Sequence, residues 1–282
     1  MQVTERRILS LGAGVQSTTL YLLALDGRID SLDVAIFADT QEEPGDVYTH
    51  LEWLKQQHGP PIIVRTIGKL GDDLMNGRNS TGQRFTSIPA YTAPEGAKRA
   101  AGMVRRQCTK EYKIKVVERA IRRDVLGLQP RQRVPKDVVI HQYFGISLDE
   151  ARRSVNIQKR FAAGSRKGVP HFPLIELGWT RGDCQKYLKD RVPHPVPRSA
   201  CVFCPYKNDA EWRRLKTDDP AGWARAVEVD EALRKAGNVV NRNMDQRLYL
   251  HRSVKPLAEV DLEVRQGEFP GFALECEGMC GN

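Results

Sequence analysis

The sequence predicts an α/β fold, with a doubly wound, mainly parallel sheet and a smaller helical region that carries cysteines. Two observations predict it: apolar segments of strand length alternate with segments of helical periodicity, and a turn of small residues joins the first strand to the first helix. The chain of 282 residues is long enough for an α/β domain and a smaller appendage. We therefore predict an α/β domain over residues 1–195 and a helical region over 196–282.

The individual elements follow from this alternation. Strands are predicted at residues 6–11, 32–38, 61–66 and 138–146, and helices at 17–26, 45–57, 110–124 and 149–161. Strands that alternate with helices in this way are typical of a parallel sheet. Residues 76–97 are polar and lack periodicity, which predicts a long loop. Helical patterns return at residues 181–190, 209–217 and 220–235, so the carboxyl-terminal third is predicted to be mainly helical.

The turn after the first strand has the composition of a phosphate-binding loop. Gly12 and Gly14 let the backbone approach an anion closely, and the free N–H groups of the first helical turn point at it. Ser17, Thr18 and Thr19 can add hydroxyl donors. Neither familiar phosphate loop fits, because the turn has no Gly-Lys-Ser/Thr and Ser17 stands where a dinucleotide fingerprint has its third glycine. The alternative is a tight structural turn without a ligand.

A second candidate position is the end of the next predicted strand, where Asp39 and Thr40 follow an apolar run. Ligands of an open parallel sheet lie outside the carboxyl ends of its strands, so these two residues are expected close to the first turn. The alternative for Asp39 is a cap on a turn or on a helix.

The charge balance favours anionic partners. The chain has 44 basic and 35 acidic side chains, a formal net charge of +9. Clustered cations suit a phosphate-rich ligand or a nucleic acid backbone, and the alternative is a set of solvated helix faces. No apolar run approaches the ~20 residues that a membrane span needs. The first residues lead directly into a strand and leave no room for a signal peptide, so we expect a cytoplasmic protein without a membrane partner.

The six cysteines are not expected to form disulfides in a cytoplasmic protein. The two-residue gap between Cys201 and Cys204 lets both thiolates face one metal, and a redox-active or inert pair is the alternative. Cys276 and Cys280 form a second pair, and Cys108 stands at the expected start of a basic helix, which would lower its pKa. Four thiolates bind either zinc or an iron–sulfur cluster, and spacing does not decide between them.

Together these motifs resemble the phosphoadenosine phosphosulfate reductase-like family of PP-loop ATP pyrophosphatases. The resemblance spans residues 6–206 and depends on an ordered set of segments, which is more specific than any single segment. The segments are 10–18 in the place of the phosphate loop, the strand end at Asp39 and Thr40, the start of the basic helix at 107–115, and 145–150 with Arg152 and Arg153, followed by 173–175 and 180–183.

This resemblance implies an adenine nucleotide alpha hydrolase-like fold that binds ATP with Mg²⁺. An oxygen of the substrate would attack the α-phosphorus of ATP, releasing pyrophosphate and leaving an adenylated intermediate that sulfur can displace. The catalytic residues that it implies are Ser17, Asp39, Arg152 and Arg153. The nucleotide-binding residues that it implies are Ser10, Gly12, Ala13, Gly14, Gln16, Ser17, Thr18, Asp39, Thr40 and Gly145.

The resemblance also implies a metal centre and partners. Cys108, Cys201, Cys204 and Cys276 are the expected ligands of a [4Fe–4S] cluster, with zinc as the alternative metal and Cys280 as the rival for the fourth place. Relatives that carry such clusters include enzymes of DNA phosphorothioation and tRNA thiolation. The expected partners are therefore a nucleotide, a nucleic acid such as DNA or tRNA, and a cysteine desulfurase or another sulfur donor.

The sequence departs from the family pattern in three places. Gly12 stands where the family commonly has serine, Val15-Gln16 where many members have Lys-Asp, and Ser147 in place of an arginine. Loss of the lysine removes a cation from the β- and γ-phosphates. One alternative is a phosphoadenylyl- or adenylyl-sulfate reductase, which the absence of the expected histidine from the tail disfavours. The other is a non-catalytic nucleic-acid-binding protein with a degenerate loop and a structural zinc.

Overall fold

A five-stranded parallel sheet forms the centre of the computed structural model, which describes residues 3–77, 88–164, 167–235 and 246–263. The strands of the chain are β1 (Thr4–Leu11), β2 (Val34–Ala38), β3 (Ile62–Arg65), β4 (Tyr91–Ala93), β5 (Gly102–Met103), β6 (Val138–Phe144), β7 (Val169–His171) and β8 (Arg247–Tyr249). The central sheet has the order β3-β2-β1-β6-β7, and each neighbouring pair is parallel. The predicted α/β class and the four predicted strands are confirmed.

Helices cover both faces of this sheet. They are α1 (Val15–Leu25), α2 (Gly45–Lys55), α3 (Leu70–Met75), α4 (Lys115–Ala120), α5 (Ala151–Ala162), α6 (Pro173–Glu176), α7 (Arg181–Lys189), α8 (Asp209–Asp218) and α9 (Pro220–Arg234). Leu9 and Phe37 pack with α1, α2 and α7, whereas Ile8 and Ile36 pack with α4 on the other face. Strands that are buried on both faces have apolar residues at successive positions, and this pattern makes them predictable from the sequence. Among the described residues, no helix has the length and apolar character that crossing a membrane requires.

Residues 109–125 form one continuous helical segment, called the 109–125 helix below. It is π-helical over Thr109–Ile114, α-helical over α4, and π-helical again over Ile121–Val125. Lys113 near its start contacts Glu43, just after β2, whereas Arg122 near its end lies in a groove with Val138 at the start of β6. The helix therefore runs from the carboxyl edge of the sheet to the amino edge. The helix predicted at residues 110–124 is confirmed.

The sequence analysis does not predict the three-stranded antiparallel sheet, which has the order β5-β4-β8. Strand β4 falls within residues 76–97, so the prediction of a continuous loop there is wrong over Tyr91–Ala93. These strands have two or three residues each and are too short to show a periodic pattern. A second core, which includes Leu70, Tyr112 and Trp212, joins this sheet region to α8 and α9.

Glu42 ties this second core to the central sheet. Its buried carboxylate accepts hydrogen bonds from the backbone N–H of Gly71 at 3.0 Å and from Arg225 of α9 at 2.7 Å. Its backbone carbonyl accepts a hydrogen bond from the N–H of Val202 at 2.7 Å. The turn that contains Cys201 and Cys204 is thereby held against the loop that follows β2.

Candidate functional site

Three loops meet at the carboxyl edge of the central sheet. The register pairs Leu11 of β1 with Phe37 of β2, and Ser10 of β1 with Phe144 of β6, so the three strands end side by side. From β1 the chain proceeds to β2 and β3 on one side and later returns to β6 on the other. This reversal is a topological switch point, and the crevice there is where open α/β sheets bind their ligands. The predicted residues of the β1–α1 turn, the β2 end and Gly145 all lie at this edge.

The β1–α1 loop, residues 12–14, folds around the hydroxyl of Ser17. The Ser17 Oγ accepts hydrogen bonds from the backbone N–H groups of Gly12 at 3.2 Å and Gly14 at 3.3 Å. Between them, Ala13 has a φ of 57°, in the left-handed region that a tight reversal requires. The first N–H groups of α1 have no acceptor within the helix. Ser17 therefore shapes the loop, and the backbone at the start of α1 provides its donors for an anion.

Gln16 and Ser147, two of the positions that differ from the pattern of the resembled family, contact each other. The buried Gln16 amide donates to Ser147 Oγ at 3.3 Å and to Glu150 Oε2 at 2.9 Å. Glu150 also accepts a hydrogen bond from Arg153 at 2.5 Å, and Arg181 of α7 donates to the side-chain oxygen Oε1 of Gln16 at 3.4 Å. Two guanidinium groups are thereby brought to the start of α1. Arg152, by contrast, is exposed.

The strand-end pair Asp39 and Thr40 divides between two environments. Asp39 Oδ1 accepts hydrogen bonds from the backbone N–H of Gln41 at 2.7 Å and from the Tyr48 hydroxyl at 2.9 Å. Burial, together with the Asp39 carboxylate, raises the pKa of Tyr48. Thr40 is buried, and its hydroxyl lies 3.2 Å from the Cys201 sulfur. Asp39 thus caps a turn at the edge, while Thr40 faces the cysteines.

Thr18 points into the protein interior. Its hydroxyl lies 2.8 Å from Nε2 of His50 on α2, and Nδ1 of His50 lies 2.8 Å from Nε2 of His194. His50 is fully buried and stacks on Trp53. Burial, with a smaller contribution from His194, lowers the pKa of His50 to about 4. A neutral imidazole therefore links α1 to α2 directly behind the β1–α1 loop.

The buried His50 predicts a loss of stability in acid. The unfolded chain takes up a proton at His50 near pH 6.5, whereas the folded protein does so only at about pH 4. Stability is therefore present above about pH 7 and falls as the pH is lowered towards 4, by about 3 kcal/mol in total. Urea unfolding of wild type and His50→Gln at several pH values measures this. Because the other histidines remain in both proteins, an equally steep fall in His50→Gln would contradict the prediction.

Three cysteines line one small cavity beside the β2 end, called the cysteine cavity below. Its lining includes Cys108, Cys201 and Cys204, together with Thr40, Arg106 and Lys113. Lys113 and Glu43 form a buried ion pair at 3.1 Å, and the same Glu43 oxygen lies 3.9 Å from the Cys201 sulfur. Burial raises the pKa of the Cys201 thiol, and the Glu43 carboxylate raises that pKa further.

The cysteine cavity contains the donor types of a thiolate-bound metal centre but, among the described residues, not the arrangement of one. Sulfur donors from two distant parts of the chain, Cys108 and the Cys201–Cys204 turn, share one largely apolar space, and Lys113 lies in its wall. Within the described ranges, however, no group of three or more His, Cys, Asp or Glu is arranged to hold a metal ion. The expected fourth ligand, Cys276, and its rival Cys280 lie outside the described residues. The sixth cysteine, Cys184, is buried in the core beside α1.

Sequence reasoning missed three of the residues that shape this site. Glu43, His50 and Arg181 reach it through contacts that span 32 to 165 positions in the chain. Arg181 lies in a segment of the family resemblance but had no predicted role, and no local pattern marks Glu43 or His50. Comparison of the chain with protein-family models, with curated proteins and with solved structures gives no match in any of the three.

Proposed function

We propose that this chain binds Mg-ATP at the β1–α1 loop and adenylates an oxygen of a nucleic acid or nucleotide substrate, in preparation for sulfur transfer. The observation that carries the proposal is the crevice at the switch point. There a glycine loop wrapped around Ser17 lies next to the cations of Arg153 and Arg181. Strand topology and loop chemistry both support the proposal of a nucleotide phosphate as the ligand.

The proposed step is a displacement at the α-phosphorus. A substrate oxygen forms a new bond to that phosphorus while the bond to the bridging oxygen breaks, and pyrophosphate leaves with its charge. The protein contributes positioning and charge neutralisation. The N–H groups at the start of α1 hold phosphate oxygens, and Arg181 supplies positive charge in the place of the family's lysine. Arg153 lies beside it in an ion pair with Glu150. Asp39, at the adjacent strand end, is placed to orient the nucleotide or its Mg²⁺.

The cysteine cavity provides ligands for the metal centre in this proposal. Cys108, Cys201 and Cys204 would hold three corners of a [4Fe–4S] cluster, and Cys276 is proposed for the fourth. Such a cluster supplies electron-transfer or sulfur chemistry when bound. The Thr40 hydroxyl can donate a hydrogen bond to Cys201, whereas the charge of the buried Lys113 is balanced by Glu43.

The loop proposal predicts a defect in Ser17→Ala. Without Oγ the N–H groups of Gly12 and Gly14 lose their acceptor, so the loop loses its shape. We expect nucleic-acid-dependent pyrophosphate release from ATP to fall by about tenfold or more, the equivalent of one to two hydrogen bonds.

Thr19→Val provides the matched control for this defect. It removes a buried hydroxyl from the same helix, where Thr19 bonds only to the Val15 carbonyl in the described structure. We expect its pyrophosphate release to stay within about twofold of wild type, because the Thr19 hydroxyl donates to the Val15 carbonyl within the helix instead of towards the loop, and valine keeps the branched side chain. Equal rates for wild type and Ser17→Ala would contradict the proposal, and the absence of release with any nucleic acid would favour the non-catalytic alternative.

A further inference from the structure

A groove at the amino edge of the sheet is lined by four cations. Arg122, Arg131, Arg133 and Lys167 surround a space of about 640 Å³, called the basic groove below. The described residues that line it include no acidic side chain. Within the described part of the chain, none of the four cations takes part in an ion pair. Four uncompensated positive charges around one concavity produce a strong local field for an anion.

The backbone holds the walls of the basic groove in place. Gly168 approaches the Ile140 carbonyl so closely, at a φ of 110°, that a side chain would not fit. The Gln142 amide donates to the Lys167 carbonyl oxygen at 3.0 Å. On the opposite wall, Arg131 adopts a φ of 65°, an unfavourable conformation for a residue with a side chain. The cations are therefore presented from a preorganised surface.

A positive face continues from the basic groove towards the cysteine cavity. Lys115, Arg119 and Arg122 lie at helical spacing on the 109–125 helix, and Arg123 is beside them. Lys115, Arg119 and Arg123 are exposed, whereas Glu118 between them is partly buried, and the carboxylate of Asp124 pairs with Arg65 of β3 at 3.0 Å. The helix is about 25 Å long and begins next to the cysteine cavity. One basic surface thus connects the groove to the site at the opposite edge.

We propose that the basic groove and this helix face bind the phosphodiester backbone of a nucleic acid and direct it towards the cysteine cavity. A small anion would contact only one or two of these cations. Phosphates of one strand of a duplex are spaced by about 3.4 Å, so about seven of them span the length of the helix. A polymer can therefore contact the whole basic surface at once. This inference rests on the proposed function for the class of partner, and it adds where that partner binds and through which groups.

The test uses the full chain without ATP and measures its binding to a fluorescent duplex DNA and a duplex RNA of about 20 base pairs. The groove variant is the triple substitution Arg131→Gln, Arg133→Gln, Lys167→Gln. The matched control removes the same charge from three exposed lysines elsewhere, by Lys98→Gln, Lys189→Gln, Lys255→Gln. Each dissociation constant is measured over a range of salt concentrations, and circular dichroism checks that the variants are folded.

We expect the groove variant to bind both probes at least tenfold more weakly and to lower the slope of log K against log salt by about 2 to 3, because each phosphate contact contributes about 0.9. The control triple should keep the wild-type slope. A groove variant that keeps the wild-type slope, or a control that loses as much, would overturn the inference. Wild type that binds the duplexes but releases no pyrophosphate would instead refute the proposed function and leave this surface standing.

Discussion

Replacement of Lys113 by methionine is expected to lower the free energy of unfolding by about 3–5 kcal/mol. The Lys113 side chain is 7% exposed and its partner Glu43 is fully buried, so the substitution leaves a carboxylate without its counterion in the interior. The other Glu43 oxygen already lacks a hydrogen-bond partner among the described residues, which makes the loss harder to compensate. Urea unfolding of wild type and Lys113→Met measures the difference.

Lys115→Met is the matched control, because Lys115 is exposed two positions further along the same helix. Its substitution should change the unfolding free energy by about 0.5 kcal/mol or less. The double variant Lys113→Met, Glu43→Leu should recover much of the stability, since it removes both charges together. A Lys113→Met protein as stable as Lys115→Met would show that the pair is not a buried ion pair in solution.

The second large effect is expected in the metal content. Protein purified without oxygen should be brown and contain about four irons per chain, as a [4Fe–4S] cluster requires. Cys201→Ser and Cys204→Ser should each remove most of this iron, because both sulfurs line the cysteine cavity. Absorption spectra with iron, sulfide and zinc analysis provide the measurement.

Cys184→Ala serves as the control for the metal experiment, since Cys184 is buried in the core beside α1 and away from the cysteine cavity. This variant should keep the wild-type iron content. A colourless wild-type protein with one zinc per chain would contradict the cluster and make the centre structural. That result would favour the alternative of a non-catalytic nucleic-acid-binding protein.

The central sheet could be predicted because its strands are buried on both faces. Residues such as Ile8 and Leu9 pack on opposite sides, so the buried end of the strand has apolar residues at successive positions, a pattern visible in the sequence. The turn after β1 could be predicted for a similar reason, since Gly12 and Gly14 mark a sharp reversal between a strand and a helix. Both patterns are local in the sequence, and each corresponds directly to an element of the folded structure.

The details of the site depend on contacts between distant residues and could not be predicted in this way. Thr18 was expected at the phosphates, but its hydroxyl is engaged by His50, which lies on another helix. Gln16 and Ser147 each departed from a family pattern, and only the fold shows that they meet. The small sheet was missed because β4 and β8 have three residues each, and long-range pairing rather than local propensity stabilises them.

Titration of the wild-type protein with Mg-ATP in a calorimeter tests the central claim most directly, because it needs neither the substrate nor the sulfur donor. The account predicts a single site, competition by pyrophosphate, and an affinity at least about tenfold weaker in Ser17→Ala than in Thr19→Val. The absence of binding at millimolar ATP, or equal binding by the two variants, would contradict the assignment of the β1–α1 loop as a nucleotide site.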